Sequence, residues 1–239
     1  MKRLFSLIAF SLTALFLNAQ ELTENHINKV DPQGRRQGDW RIYDGEGHLK
    51  FTGNFHDGKP IGEFRFFYPN GKIKAIIIQQ DSGRVSYATN YHLNGNVLAK
   101  GKYVNQLKDS TWLYYSELDG ALASEEYYRN GIREGVWKVY YPEGGVMEEI
   151  TYKNDIKDGP WNQYFTDGAV KQTSTYAEGL LEGPFIVYHI NGKVEVSGSY
   201  IHDNKDGTWI YLTEIGELVK KEEYRNGRLI TEEINEIDK

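Results

Sequence analysis

The stretch Gly135-Val136-Trp137-Lys138-Val139-Tyr140-Tyr141-Pro142-Glu143-Gly144-Gly145-Val146, continued by Tyr152-Lys153-Asn154-Asp155, decides the fold. Trp137 and Val139 fall on one face of an extended strand, because side chains alternate with period two. A glycine-bearing turn follows, then an aliphatic residue, a tyrosine and a second turn. Working outward, an aromatic residue returns at Trp40, Phe64, Tyr87, Trp112, Trp137, Trp161, Phe185 and Trp209, at steps of 24, 23, 25, 25, 24, 24 and 24 residues. A fixed period in this range is one supersecondary unit copied along a line.

The other slots recur with the anchor. A loop glycine follows it by seven or eight residues, at Gly47, Gly71, Gly95, Gly120, Gly144, Gly168, Gly192 and Gly216. Asn70-Gly71, Asn94-Gly95, Asp119-Gly120, Asp167-Gly168 and Asn191-Gly192 read as tight hairpin turns in which both residues take positive φ. Two residues later comes an aliphatic, as at Leu49, Val97, Val146 and Leu218, and then a strand-closing aromatic, as at Phe55, Tyr103, Tyr152 and Tyr224. The second turn holds Gly34, Gly58, Asp81, Gln106, Gly131, Asp155, Gly179 and Asp203, where Gln106 is the residue least suited to a left-handed backbone. No Gly-free stretch after the N-terminal segment carries a sustained helical apolar stripe. The expectation is an all-β chain of tandem β-hairpins forming one elongated, twisted antiparallel sheet, an open meander without significant helix. Each copy buries its aromatics against its neighbours.

This grammar, G-x-W-x-x-Y, then N-G, then Y-x-N-G, resembles the MORN repeat. The 24-residue step looks most like the bacterial variant found in YwqK-type antitoxin proteins. The resemblance runs from about Gly38 to Leu229. It implies tandem hairpins in a twisted single sheet, and a role in protein–protein scaffolding or self-association. Acidic-lipid contact occurs in some eukaryotic members.

The N-terminal MKRLFSLIAFSLTALFLNAQ has Lys2 and Arg3, then an apolar run from Leu4 to Leu17, then small Ala19. That is the layout of a secretory signal peptide, 1–19, cleaved after Ala19. It predicts export to the periplasm or the extracellular space. Residues 20–37 read as a lead-in, 38–229 as eight repeats and 230–239 as an acidic C-terminal cap. The chain has no cysteine, so it offers neither disulfide nor thiol chemistry. Loss of Lys2 and Arg3 takes the formal net charge from −6 to −8, with +1 over 20–84 and −9 over 85–239. Nucleic acid is not an expected partner of such a surface.

Catalytic signatures are missing from the sequence. His48, His56, His92, His189 and His202 sit in different copies and His26 precedes them, so no zinc-ligand spacing arises. In Asp203-Asn204-Lys205-Asp206-Gly207 a lysine takes a calcium-ligand position. Glu125/Glu126, Glu148/Glu149 and Glu222/Glu223 are adjacent on strands, so the members of each pair point to opposite faces and read as solvated carboxylates. No catalytic, cofactor-binding or metal-ligating residue is singled out, and no cofactor is expected. The expected function is that of an exported, non-enzymatic scaffold for an unidentified protein partner or for self-association, with no integral membrane span after signal cleavage. Envelope glycan or lipid recognition is one alternative. An antitoxin or immunity-type role against a toxin partner is another. The rhythm breaks around residues 73–91, where Ala75-Ile76-Ile77-Ile78 is continuously apolar, Gln79 replaces the closing aromatic and the anchor Tyr87 arrives a residue early.

Overall fold

The computed structural model describes residues 26–235, so the expected signal peptide, part of the lead-in and the last four residues lie outside the described residues. The chain divides into two units, 1–95 and 96–239. In the first, β1 (Lys29–Val30), β2 (Arg36–Tyr43), β3 (Leu49–His56), β4 (Lys59–Phe67), β5 (Ile73–Gln80) and β6 (Val85–Tyr91) pair consecutively and antiparallel. In the second, β7 (Val97–Val104), β8 (Leu107–Tyr115) and β9 (Leu122–Arg129) open an antiparallel meander of its own. It continues through β10 (Ile132–Arg133), β11 (Gly135–Tyr140), β12 (Val146–Lys153), β13 (Ile156–Tyr164) and β14 (Val170–Ala177). It ends with β15 (Leu180–Leu181), β16 (Gly183–Tyr188), β17 (Val194–Ile201), β18 (Asn204–Leu212), β19 (Leu218–Arg225) and β20 (Arg228–Ile234). The sole helical element among the described residues is a three-residue 3-10 turn, Asp81–Gly83. Each unit is thus an open antiparallel sheet of hairpins.

The two kinds of turn exchange roles relative to expectation. At the first turn only the glycine is left-handed: Gly71 has φ +81°, whereas Asn70 is not among the positive-φ residues. Gly71 N–H donates to Tyr68 O at 2.9 Å and Tyr68 N–H to Lys72 O at 2.8 Å, the bonding of a three-residue loop ending in a glycine bulge. Pro69, like Pro142 in the fifth copy, takes the second turn position, for which its fixed φ is suited. The true two-residue turns are the second ones. Asn105-Gln106, Asn154-Asp155 and His202-Asp203 have positive φ at both residues, so Gln106, at φ 65°, is left-handed after all. Closing a two-residue hairpin in the sense of the strand twist requires this, and the surrounding ladder enforces it.

These second turns also join consecutive copies. The N–H of the turn's second residue donates to a carbonyl one copy earlier: Gly58 to Arg36, Gly131 to Lys108, Asp155 to Arg133, Gly179 to Lys157, Asp203 to Leu181 and Gly227 to Lys205, at 2.7–3.1 Å. One residue further along, a side-chain acceptor caps the turn's first N–H: Gln37 on Asp57, Glu134 on Asn154, Glu182 on His202 and Asp206 on Asn226. Nearest-neighbour coupling of this kind is what holds a repeat array together.

The broken rhythm at Tyr87 is a misreading by one residue. Ile77 pairs with both Phe64 and Ala88, so Ala88 lies on the anchor face, and it is only 4% exposed. Tyr87 pairs with Ile78 on the other face and is 47% exposed. With Ala88 in the slot, the first steps become 24, 24 and 24. The one remaining 25-residue step, from Trp112 to Trp137, is absorbed in a loop. Gly120 N–H bonds back to Ser116 O, four residues away rather than three, which adds one residue to the turn and leaves Leu118 94% exposed at its tip.

Candidate interaction surface

The anchor face of each unit is a ring zipper. Trp40, Phe55 and Phe64 follow one another at centroid distances of 5.8 and 5.2 Å in the first unit. In the second, Tyr103–Trp112, Tyr128–Trp137–Tyr152 and Phe185–Tyr200–Trp209 lie 4.8–5.4 Å apart. Trp112 and Trp209 are the most deeply buried large side chains. Room for them comes from the neighbouring strand: a Cβ added at Gly53, Gly101 or Gly198 would come within 2.2 Å of the ring of Phe64, Trp112 or Trp209. In the third copy the volumes are reversed, with Ile77 large and Ala88 small.

Cations lie over this zipper. The slot four residues before the anchor holds Arg36, Arg84, Lys108, Arg133, Lys157 and Lys205, and turns apolar, Pro60 and Leu181, before the two phenylalanine anchors. Arg36 stands 4.7 Å from the Trp40 ring and Lys205 4.2 Å from Trp209. Arg133 is 4.6 Å from Tyr152 and Lys157 4.8 Å from Tyr176. Such contacts are worth about 0.5–2 kcal/mol each, depending on desolvation. The structure lines up Lys108, Arg133, Lys157 and Lys205, but each is followed at once by Asp109, Glu134, Asp158 or Asp206, which keeps the row locally neutral.

Two carboxylates sit inside this face, correcting their reading as solvated. Glu126 and Glu222 occupy the slot that elsewhere holds Gly53, Ile77, Gly101, Ile150, Ser174 and Gly198. Glu222 is only 5% exposed. It accepts from Lys220 Nζ at 2.5 Å, Tyr211 OH at 2.7 Å and Tyr224 OH at 3.2 Å, with Lys205 Nζ 3.7 Å away. Burial alone would raise its pKa. The bonds from Lys220 and Tyr211 and the two ammonium charges outweigh that and hold it at about 2. Glu126 accepts from Tyr128 OH at 2.8 Å, beside Lys108, which contacts the Tyr114 hydroxyl. Burial and then Glu126 push Tyr114 up to about 12, while burial lowers Lys108 against the pull of Glu126. The two clusters are the same construction four copies apart. Their charges and hydroxyls are engaged with one another, so they act as locks between strands. The members of the remaining adjacent pair also have separate partners: Glu148 accepts from Trp161 Nε1 and Gln163, and Glu149 from Tyr164 and Lys138.

A row of half-exposed apolar groups lies at the second-turn edge of the second unit, besides the exposed Leu118, Ile190 and Ile215 at its first turns. The first residue after the two-residue turn is Leu107, Ile132, Ile156 and Leu180 in four consecutive copies, each 38–49% exposed. Two strands per copy set these side chains about 10 Å apart. Two open hollows of about 320 Å³ lie on the face away from the anchors. One is lined by Asp39, Arg41, Thr52, Asn54, Glu63 and Arg65, the other by Thr111, Glu125, Tyr127 and Val136 among others. Among the described residues no group of three or more His, Asp or Glu side chains could hold a metal ion, and no helix is long and apolar enough to cross a membrane.

The family model described as "MORN repeat variant" matches residues 60–80 and 133–154. These segments cover the turn and strands leading through Phe64 to Gln80, and from Arg133 through Trp137 to Asn154, so the chain is similar to that family in two of its copies. A solved structure described as "Crystal Structure of TcdB2-TccC3-Cdc42" is similar over 84% of this chain and 13% of that one, at 12% identity and a TM-score of 0.24. This chain therefore spans about an eighth of that chain's length. No curated protein matches.

Proposed function

We propose that the chain is an exported, non-catalytic repeat scaffold that binds a protein partner in the cell envelope. The observation that carries the reading is the row Leu107, Ile132, Ile156 and Leu180, half-exposed in four consecutive copies, although Leu107 and Ile156 also lie against Gly131 and Gly179 of the next copy. By contrast, the anchor rings, the cations over them and Glu126 and Glu222 are all used in holding strand to strand. The apolar leader ahead of Gln20 supports export. The test uses the protein lacking residues 1–19 as bait for cross-linking in envelope extract, beside the double variant Leu107→Asp/Ile156→Asp. One cross-linked partner with the parent and none with the folded variant is the expected outcome. Equal recovery by both, or none by the parent, would sink the reading.

A further inference from the structure

We propose that a hollow on the first unit binds a small zwitterion, a free dipeptide, whose carboxylate and ammonium stand about 7 Å apart. The hollow, of about 320 Å³, lies on the face away from the anchors and is lined by Asp39, Arg41, Thr52, Asn54, Glu63 and Arg65. Three strands build it. Arg41 pairs with Thr52 and Thr52 with Arg65, while Asp39 pairs with Asn54. A bulge in β4 opens it: between the pairs Thr52–Arg65 and Asn54–Ile61, the residues Gly62, Glu63 and Phe64 stand opposite Gly53 alone, with Gly62 at φ +67°.

Charge is divided across the hollow. Arg41 and Arg65 flank Thr52 on one side, and Asp39 and Glu63 flank Asn54 on the other. Two residues along a strand separate the sides by about 7 Å. A carboxylate suits the first side, where a guanidinium can hold it by two bonds, and an ammonium suits the second. Among the described residues Arg41 is bonded only through its backbone, so its guanidinium is free for a ligand. Asp39 accepts from Asn54 Nδ2 at 2.8 Å through one oxygen, and Arg65 Nε donates to Glu63 at 2.5 Å. These bonds leave the second oxygen of each carboxylate and most of the Arg65 donors available. The Glu63–Arg65 pair is exposed on both sides, and an ion pair of that kind opens readily. Every lining side chain is polar, so the site reads the charged ends of a dipeptide and its peptide group, while its side chains project to solvent.

Folding does not require this lining. The same bulge recurs in later copies, opposite Gly101, Thr151 and Gly198. Three copies on, the equivalent hollow carries Thr111 in place of Asp39, Leu113 in place of Arg41 and Val136 in place of Glu63. In the seventh copy Pro184, Ile186, Thr208 and Ile210 stand where the four charged groups stand in the first. The ladder accepts all of these, so the opposed acid and base rows of the first copy are a feature of that copy and not of the repeat.

This inference goes beyond the protein-partner reading and does not depend on it. The chain lacking residues 1–19 is titrated with Ala-Ala, N-acetyl-Ala-Ala, Ala-Ala amide and, as a neutral probe, maltotriose. Calorimetry is read together with amide chemical shifts. Ala-Ala should bind saturably and shift Arg41, Thr52, Asn54 and Arg65, and each blocked peptide should bind about tenfold more weakly. Arg41→Gln should abolish the preference for Ala-Ala over its amide and keep the preference over the acetylated form. Asp39→Asn/Glu63→Gln should do the reverse. All three positions are exposed and lie off the ring zipper, so the variants should melt with the parent. Leu107→Asp/Ile156→Asp should leave dipeptide binding unchanged, which separates this site from the turn-edge row. Absence of saturable binding, equal binding of the blocked peptides, equal shifts at Thr111 and Val136, or maltotriose binding in place of the dipeptide would overturn the proposal.

Discussion

Gly198 and Trp209 share one volume across the β17–β18 pair: the indole covers the glycine, and a Cβ at position 198 would clash with the ring at 2.2 Å. Gly198 is not among the positive-φ residues, so its backbone would accept a side chain and the constraint is purely steric. Gly198→Ala should therefore force a fully buried indole out of its seat at a cost of about 3 kcal/mol. Gly216 has the opposite character, with φ +96° and nothing within 4 Å of an added Cβ. Gly216→Ala should cost about 1 kcal/mol, from backbone strain alone. Urea unfolding followed by tryptophan emission would rank the two, and a reversed order would refute the packing argument.

The register at the third copy makes a second comparison possible. Tyr87 looks like an anchor in the sequence but projects from the other face, so Tyr87→Ala should cost below about 1 kcal/mol. Trp112→Ala should cost about 4 kcal/mol. Ala88→Trp should be destabilising alone because Ile77 fills the facing space, and Ile77→Gly should relieve it in the double variant. Chemical denaturation of the five variants, Ile77→Gly alone included, measures this, and additive losses in the double variant would show that the two residues do not share the space.

Glu222 predicts an acid limb to the stability curve. Its pKa in the folded chain is about 2, below the ordinary 4.5. Its contribution is complete above the ordinary value and is lost as pH falls through 4.5 toward 2. Glu222→Ala should cost about 3 kcal/mol at neutral pH, because Lys205, Lys220 and two tyrosine hydroxyls lose their common acceptor. Glu222→Gln should flatten the acid limb specifically, which a series of melting curves between pH 2 and pH 6 would reveal.

Alkaline titration tests the twin cluster. Tyr114 is raised to about 12, first by burial and then by the Glu126 charge; Tyr128 is raised by burial and its bond to Glu126, and in the other cluster Tyr211 is raised by burial and its bond to Glu222. A raised folded pKa means stability that is present below pH 10 and lost as pH climbs through 10 toward 12. Tyrosinate absorbance should show an early class of exposed tyrosines and a late class that titrates with unfolding. Glu126→Gln should move Tyr114 and Tyr128 toward the early class.

Much of the architecture was legible in the residues. The aromatic step, the loop glycines and the alternation Trp137/Val139 predicted hairpins where hairpins occur. The candidate site was far less legible. Glu126 and Glu222 looked like halves of ordinary surface pairs, although a signal existed: both fall in a slot otherwise filled by Gly, Ile or Ser, and both have a lysine four residues before a tryptophan one strand away. Tyr87 was misplaced because an aromatic beside an alanine satisfies a pattern search better than the alanine does. The Asn-Gly turns were assigned the wrong geometry because dipeptide preference does not reveal how many residues the flanking ladder leaves in the loop.

The sequence by itself determined the repeat, the strand period and the places where the chain turns, because alternation and turn chemistry are settled among residues a few positions apart. The tertiary structure alone decided which residue occupies each packing slot and which glutamates go inside. Those outcomes depend on volumes and charges meeting across strands: Gly198 under Trp209, Ile77 against Ala88, Glu222 among Lys205, Lys220 and Tyr211. A one-residue change of register sends every side chain to the other face, and only the pairing itself reveals which register the chain adopts.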